Sequence, residues 1–186
     1  HNDMYYDDGF WGSMGPDVAE TWINAGVLHR LEGPALISAD GKYIEWFRNG
    51  KLHRLDGPAV EDHRTGEWSW FRDGKLHRKG GPAVRFIHGD PLVRLYPRGD
   101  NVGTLPECPI GTVTLDWYVG GRRHRDRGPS LICSDGTRRW YVQGRLHRTK
   151  GPAVECPDGN RYWYLRGKLQ TRRPAVEQIK ASVPLL

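Results

Sequence analysis

One phrase recurs along this chain: an aromatic-led pair, a tight glycine turn, then Leu-His-Arg and Gly-Pro-Ala. It reads Trp46-Phe47-Arg48-Asn49-Gly50-Lys51-Leu52-His53-Arg54 before Gly57-Pro58-Ala59-Val60, and Trp70-Phe71-Arg72-Asp73-Gly74-Lys75-Leu76-His77-Arg78 before Gly81-Pro82-Ala83-Val84. Self-similarity with a period in the twenties marks stacked small units, none able to bury its apolar side alone. The leading positions are Trp22, Trp46, Trp70, Leu95, Trp117, Trp140 and Trp163, at steps of 24, 24, 25, 22, 23 and 23 residues. Leu95 heads a worn fourth unit, about 90–111, in which Asp100-Asn101-Val102-Gly103 replaces Lys-Leu-His-Arg. The spacing predicts one array over 17–173, seven units with the last incomplete, between an N-terminal cap at 1–16 and a C-terminal cap or tail at 174–186. Atypical end units are what an array needs to seal its open edges.

Two turn signals punctuate each unit. Asn49-Gly50 and Asp73-Gly74 follow the aromatic pair, and Asp40-Gly41, Asp135-Gly136 and Asp158-Gly159 precede it. Such dipeptides favour two-residue hairpin turns, because both central residues need positive φ. Proline at 34, 58, 82, 129, 152 and 174 excludes a helix interior through these segments. The fold class that follows is all-β: an elongated antiparallel β-hairpin array, a meander with two strands of about eight residues per unit. A two-residue turn sets Arg48 opposite Lys51, Phe47 opposite Leu52, Trp46 opposite His53 and Glu45 opposite Arg54. Alternation then places Trp22, Trp46, Trp70, Trp117 and Trp140 on one face with His29, His53, His77, His124 and His147, and Phe47 and Leu52 on the other.

Eight Trp and 24 Gly in 186 residues fit a glycine-turned β protein. No apolar run reaches the roughly 20 residues that span a bilayer. Residues 1–8 are polar and acidic without a signal-peptide core, and a segment preceding His1 stays open. Cys108, Cys133 and Cys156 occupy matching places in their units. Equivalent residues two strands apart are separated by about 9–10 Å, and a disulfide needs Cα atoms within about 7 Å. Free thiols are therefore expected, with a cytoplasmic, reducing location or one inside a virion or larger assembly. A solenoid with one strand per rung would instead bring these cysteines together.

The aromatic-aromatic-x-x-Gly-Lys-Leu hairpin, with a second glycine turn midway through each unit, resembles MORN repeats. It is most similar to the variant with Asn-Gly-Lys-Leu common in bacterial, phage and giant-virus proteins, over about residues 20–170. The resemblance implies a protein-interaction scaffold, in some cases a phospholipid binder or an accessory module beside an enzyme. The Leu-His-Arg-x-x-Gly-Pro-Ala half departs from ordinary MORN units.

Repetition also weighs on the chemistry, since a motif present five times builds a protein more readily than it catalyses one reaction. The five histidines lie in separate units, too far apart to share an ion at about 2.0–2.1 Å per bond. They are expected to stack and hydrogen-bond, as are Trp163 and the other repeat tryptophans. A Cys133 dyad with His124 or His147 has no support from the hairpin register, so no catalytic residue, metal or cofactor is predicted. Net charge is +6 with pI about 9.4, and the C-terminal units are visibly basic. Arg122, Arg123, Arg125, Arg138, Arg139 and Arg148 are the candidate binding residues, with Glu45 opposite Arg54 and Asp116 opposite Arg125 as structural pairings. A protein partner is expected, because exposed Trp, Tyr and Arg anchor such contacts. Nucleic acid or anionic lipid is the second reading, and the oligomeric state stays open.

Overall fold

A computed structural model describes residues 18–87 and 108–170. The caps predicted at 1–16 and 174–186, and most of the worn unit, lie outside the described residues. Within them the chain is all-β and contains no helix. Strands Val18–Thr21, Leu36–Ser38, Tyr43–Glu45, Val60–Asp62, Glu67–Ser69, Val84–Ile87, Val113–Asp116, Leu131–Cys133, Arg138–Arg139, Val154–Glu155 and Arg161–Tyr162 cross one 11-stranded sheet in chain order. Every pairing within it is antiparallel, so the expected meander is what the chain forms.

Between successive sheet strands the chain makes a short excursion. Phe47–Arg48 pairs with Lys51–Leu52 in a separate two-stranded sheet, and five further hairpins repeat this from Ile23–Asn24 with Val27–Leu28 to Tyr164–Leu165 with Lys168–Leu169. The predicted register Phe47↔Leu52 and Arg48↔Lys51 is observed. Asn49 and Gly50 take φ of 50° and 71°, as their two-residue turn requires.

The strands are two to four residues long rather than about eight. Trp46 is the reason. Its N–H donates to the Ala59 carbonyl of the returning strand, while its own carbonyl accepts from the His53 N–H of the hairpin. One residue thus belongs to both sheets, and the chain turns a corner there. Glu45 consequently pairs with Leu36 and Val60, not with Arg54. The Asp116–Arg125 pairing fails for the same reason.

Hairpins this short are marginal alone. Each after the first is held to the hairpin that precedes it: Gly50 N–H donates to Leu28 O, Gly74 to Leu52 O, Gly121 to Leu76 O and Gly167 to Leu146 O, at 2.8–2.9 Å. Their inward side chains, Phe47, Leu52, Phe71, Leu76 and Tyr118, join Val60, Val84, Phe86 and the repeat alanines Ala35, Ala59 and Ala83 in one core cluster. Tyr141, Leu146, Ala153, Val154 and Tyr164 form a second. Each of Ala35, Ala59, Ala83 and Ala153 is wholly buried, which leaves no room for a larger side chain.

Two departures concern the middle of the chain. Val84–Ile87 pairs directly with Val113–Asp116, so the sheet passes from the third unit to the fifth with no strand between them. Cys108 therefore lies on no strand of that sheet, and the two-strand separation assumed for equivalent cysteines does not apply to it. Its Cα comes within 6.5 Å of Cys133, and the two form a disulfide; Cys156 alone is free. This corrects the expectation of three free thiols and removes the ground it offered for a reducing compartment. Among the described residues no helix is long and apolar enough to cross a membrane.

Candidate binding surface

The Leu-His-Arg and Gly-Pro halves of the repeat are explained together. In every complete unit the arginine folds back over the leading tryptophan: Arg30 on Trp22, Arg54 on Trp46, Arg78 on Trp70, Arg125 on Trp117 and Arg148 on Trp140, with Cζ 3.8–4.2 Å from the ring centroid. Such stacks contribute about 0.5–2 kcal/mol each, more as water is excluded. The guanidinium then donates to the carbonyl of the proline four residues on, at 3.0–3.2 Å. The intervening glycine lets it lie there. A Cβ at Gly33, Gly57, Gly81, Gly128 or Gly151 would stand only 2.5–3.3 Å from guanidinium atoms. Arg, Gly, Pro and Trp therefore form one packing device.

The histidines join units. Nδ1 of His29, His53, His77, His124 and His147 accepts the backbone N–H of the first turn residue in the following hairpin, respectively Asn49, Asp73, Gly120, Gln143 and Arg166, at 3.0–3.3 Å. Accepting at Nδ1 places the ring proton on Nε2 in His29, His77, His124 and His147, whereas Nδ1 of His53 also lies 2.8 Å from Asp73 Oδ1, a contact made by a proton on Nδ1. The histidines and their tryptophans are half-buried, as the alternation requires. Among the described residues no three potential metal-ligating side chains lie together.

The predicted binding arginines do not share one surface. Arg122 and Arg123 belong to a hairpin, whereas Arg138 and Arg139 lie in the long sheet. Arg125 and Arg148 are stacked on their tryptophans, and Arg148 also reaches Glu155 at 2.8 Å. Arg123 points inward, where other units have Leu28, Leu52, Leu76 or Leu146, and its Nε lies 2.7 Å from buried Asp116. Burial works against its charge, but Asp116 and then Tyr118 more than restore it, holding the guanidinium above its ordinary range. Arg138 is exposed and faces Glu155 across the strands. Cys133, spent in the disulfide, offers no thiolate for the dyad weighed above.

What the structure does bring together is the outer side of the hairpins. Alternation puts Arg48 and Lys51 on the side of Trp46 and His53, away from buried Phe47 and Leu52. The cross-strand pair there is Asn24↔Val27 in the first hairpin and, in the other five, Arg48↔Lys51, Arg72↔Lys75, Val119↔Arg122, Val142↔Arg145 and Leu165↔Lys168. All five cations following the turn are exposed. Four have a direct inter-unit neighbour, because the turn glycine of the next hairpin sits against the stem of Lys51, Lys75, Arg122 or Arg145. Among the described residues none of the five has an ion-pair partner. Only Arg122 of this row was singled out from the sequence, although Gly-Lys or Gly-Arg after the turn was a visible signal.

No family model, curated protein or solved structure matches the chain.

Proposed function

We propose that the chain is a non-enzymatic, MORN-like repeat scaffold that holds a protein partner along the outer side of its hairpins. One observation carries this: the conspicuous repeat residues are spent on packing and on joining units, while a cation beside the turn recurs in register and stays unopposed. Val119, Val142 and Leu165 flank that row in the C-terminal units, so the face offers charge and apolar contact together. An acidic partner surface with aliphatic patches complements it. Such a chain serves a larger assembly by its length, each unit adding one more contact.

The test replaces Lys51, Arg122, Arg145 and Lys168 together by Glu and compares affinity capture from the native source with that of the parent chain. A partner identified with the parent and lost with the variant is expected. Equal capture by both removes the hairpin face from the proposal.

A second reading is binding of nucleic acid or anionic lipid. Like charges directly opposite in Arg48↔Lys51 and Arg72↔Lys75 favour it, since such pairs destabilise a sheet unless something neutralises them. Polyanion binding weakens steeply between about 50 and 200 mM salt. Retention that does not change over that range, or that survives replacement of Arg48, Arg72, Arg122 and Arg138 by Gln, rejects it.

A further inference from the structure

The third unit differs from the second in its charges, and a cleft opens between them. In the second and sixth units the stacked arginine is accompanied by an acid seven residues on. Arg54 pairs with Asp56 two residues on and with Glu61 seven residues on, at 3.2 and 2.7 Å. Arg148 pairs with Glu155 seven residues on, and in the fifth unit Asp126 follows Arg125 and bonds His124 at 3.0 Å. In the third unit Lys79, Gly80 and Arg85 hold those three places after Arg78. Among the described residues Arg78 has no acidic partner, and its guanidinium donates to Pro82 O at 3.0 Å.

A cleft of about 320 Å³ opens at this point, with Arg54, Trp70, Arg72, His77, Arg78 and Lys79 among its walls; no carboxylate is among its described lining residues, and Asp56 and Glu61 approach it only through their pairs with Arg54. Its size is at the lower end of small-ligand sites, about 300–1,000 Å³. Two of its guanidinium groups are already oriented, Arg54 on Trp46 and Arg78 on Trp70, at 4.0 and 4.1 Å. Fixing a flexible cation before binding lowers the ordering cost of capturing an anion. Planar guanidinium forks match tetrahedral oxyanions with paired N–H donors, and Lys79 adds a mobile point charge at the rim.

We propose that this cleft is a binding site for a phosphate group, and that the second and third units supply it jointly. The phosphate oxygens accept from Arg78 and Arg72, Arg54 borders them from the preceding unit, and Lys79 closes over the anion. The site goes beyond the partner-binding role and shares only Arg72 with the hairpin face; Lys51, Arg122, Arg145 and Lys168, which test that face, lie outside it, so either can fail without the other.

Isothermal titration calorimetry at constant ionic strength tests it, with inorganic phosphate, pyrophosphate and AMP as probes and adenosine as the neutral control. Saturable binding of at least one anionic probe, and none of adenosine, is expected. AMP binding more tightly than phosphate identifies a small phosphate ester as the ligand; equal binding identifies the bare group. Arg72 and Lys79 are exposed, so the double variant Arg72→Gln with Lys79→Gln keeps the fold, which its melting temperature checks. It is expected to bind at least tenfold more weakly, whereas Arg48→Gln, on the neighbouring hairpin, leaves affinity unchanged. Absence of saturable binding by all three anions overturns the site, as does equal binding by the double variant.

Discussion

Glu45 in the second unit and Asp116 in the fifth occupy the same row of the long sheet, each beside a buried aliphatic strand residue, and the protein treats them differently. Glu45 is 2 % exposed and accepts a 2.6 Å hydrogen bond from the Tyr43 hydroxyl. Burial pushes its carboxyl up to about 7, with the Tyr43 bond pulling the other way. Asp116 is 1 % exposed and meets a full guanidinium, Arg123, together with the Tyr118 hydroxyl. The third unit, lying between them in the sheet, has Ser69 at this place and Leu76 where Arg123 stands. One backbone position is thus filled by a neutral hydroxyl, by a carboxyl that burial inclines to protonate, or by a carboxyl that burial also raises but that a facing guanidinium pulls back. The repeat specifies the site's geometry, and the partner across the hairpin decides which chemistry it tolerates.

The largest effect is expected from breaking the pair. Asp116→Ser alone leaves Arg123 buried without its counter-charge and should cost about 3–5 kcal/mol of stability, read from urea denaturation. Adding Arg123→Leu recreates the Ser69 and Leu76 combination of the third unit. It should return stability to within about 1 kcal/mol of the parent or exceed it. A double variant as unstable as the single one would show that the units are not interchangeable.

Glu45 sharpens the contrast through pH. Its folded pKa of about 7 lies above the ordinary 4.5, so the unfolded chain releases this proton first as pH rises. The contribution is at its best below pH 4.5 and is lost through pH 7, by an amount on the order of 3 kcal/mol. Glu45→Gln should abolish that slope and leave the variant more stable than the parent at pH 8. Denaturation at pH 4, 6 and 8 measures it, and an unchanged slope would place the titration elsewhere.

A smaller effect separates the two units at their Gly-Pro turns. Gly57 has a Cβ position only 2.5 Å from Arg54 Cζ, so alanine there must displace the arginine from Trp46. The expected loss is about 1–2 kcal/mol, and it should vanish in an Arg54→Gln background. Gly128 has φ of +93°, so alanine there is strained by its own backbone. Its loss, about 1–2 kcal/mol, should persist when Arg125 is replaced by Gln. Double-mutant cycles read both. The smallest change is at the sixth hairpin, where Gln143 holds φ of 51° and the second unit has Asn49. Asn tolerates this region better, and Gln143→Asn should gain a few tenths of a kcal/mol, about 0.5, seen as a slightly higher melting temperature.

Much of this architecture was legible beforehand because it rests on local rules. Asn49-Gly50 and Asp73-Gly74 announce their turns by the φ values they tolerate, and a two-residue turn leaves one register, so Phe47 had to meet Leu52. The same register already set Arg123 at an inward, leucine-type position. Its basic neighbours disguised it as surface, and only the carboxylate waiting at Asp116 explains how a charge stays there. Eight-residue strands were expected because Trp46 looks like any strand residue in one dimension. Its role as a corner depends on Ala59, thirteen residues further on.

By itself, then, the order of residues determined the period, the turns, the β class and the alternation of faces, all consequences of steric preference within a few bonds. Packing between units decided the rest. It set each arginine between a tryptophan and a glycine, and turned the histidines into links to the next hairpin. It also drew Cys108 to Cys133 and left a cation-lined cleft beside Arg78. These depend on which segments come to lie within a few ångströms of each other, and contacts between distant parts of the chain exist only once it has folded.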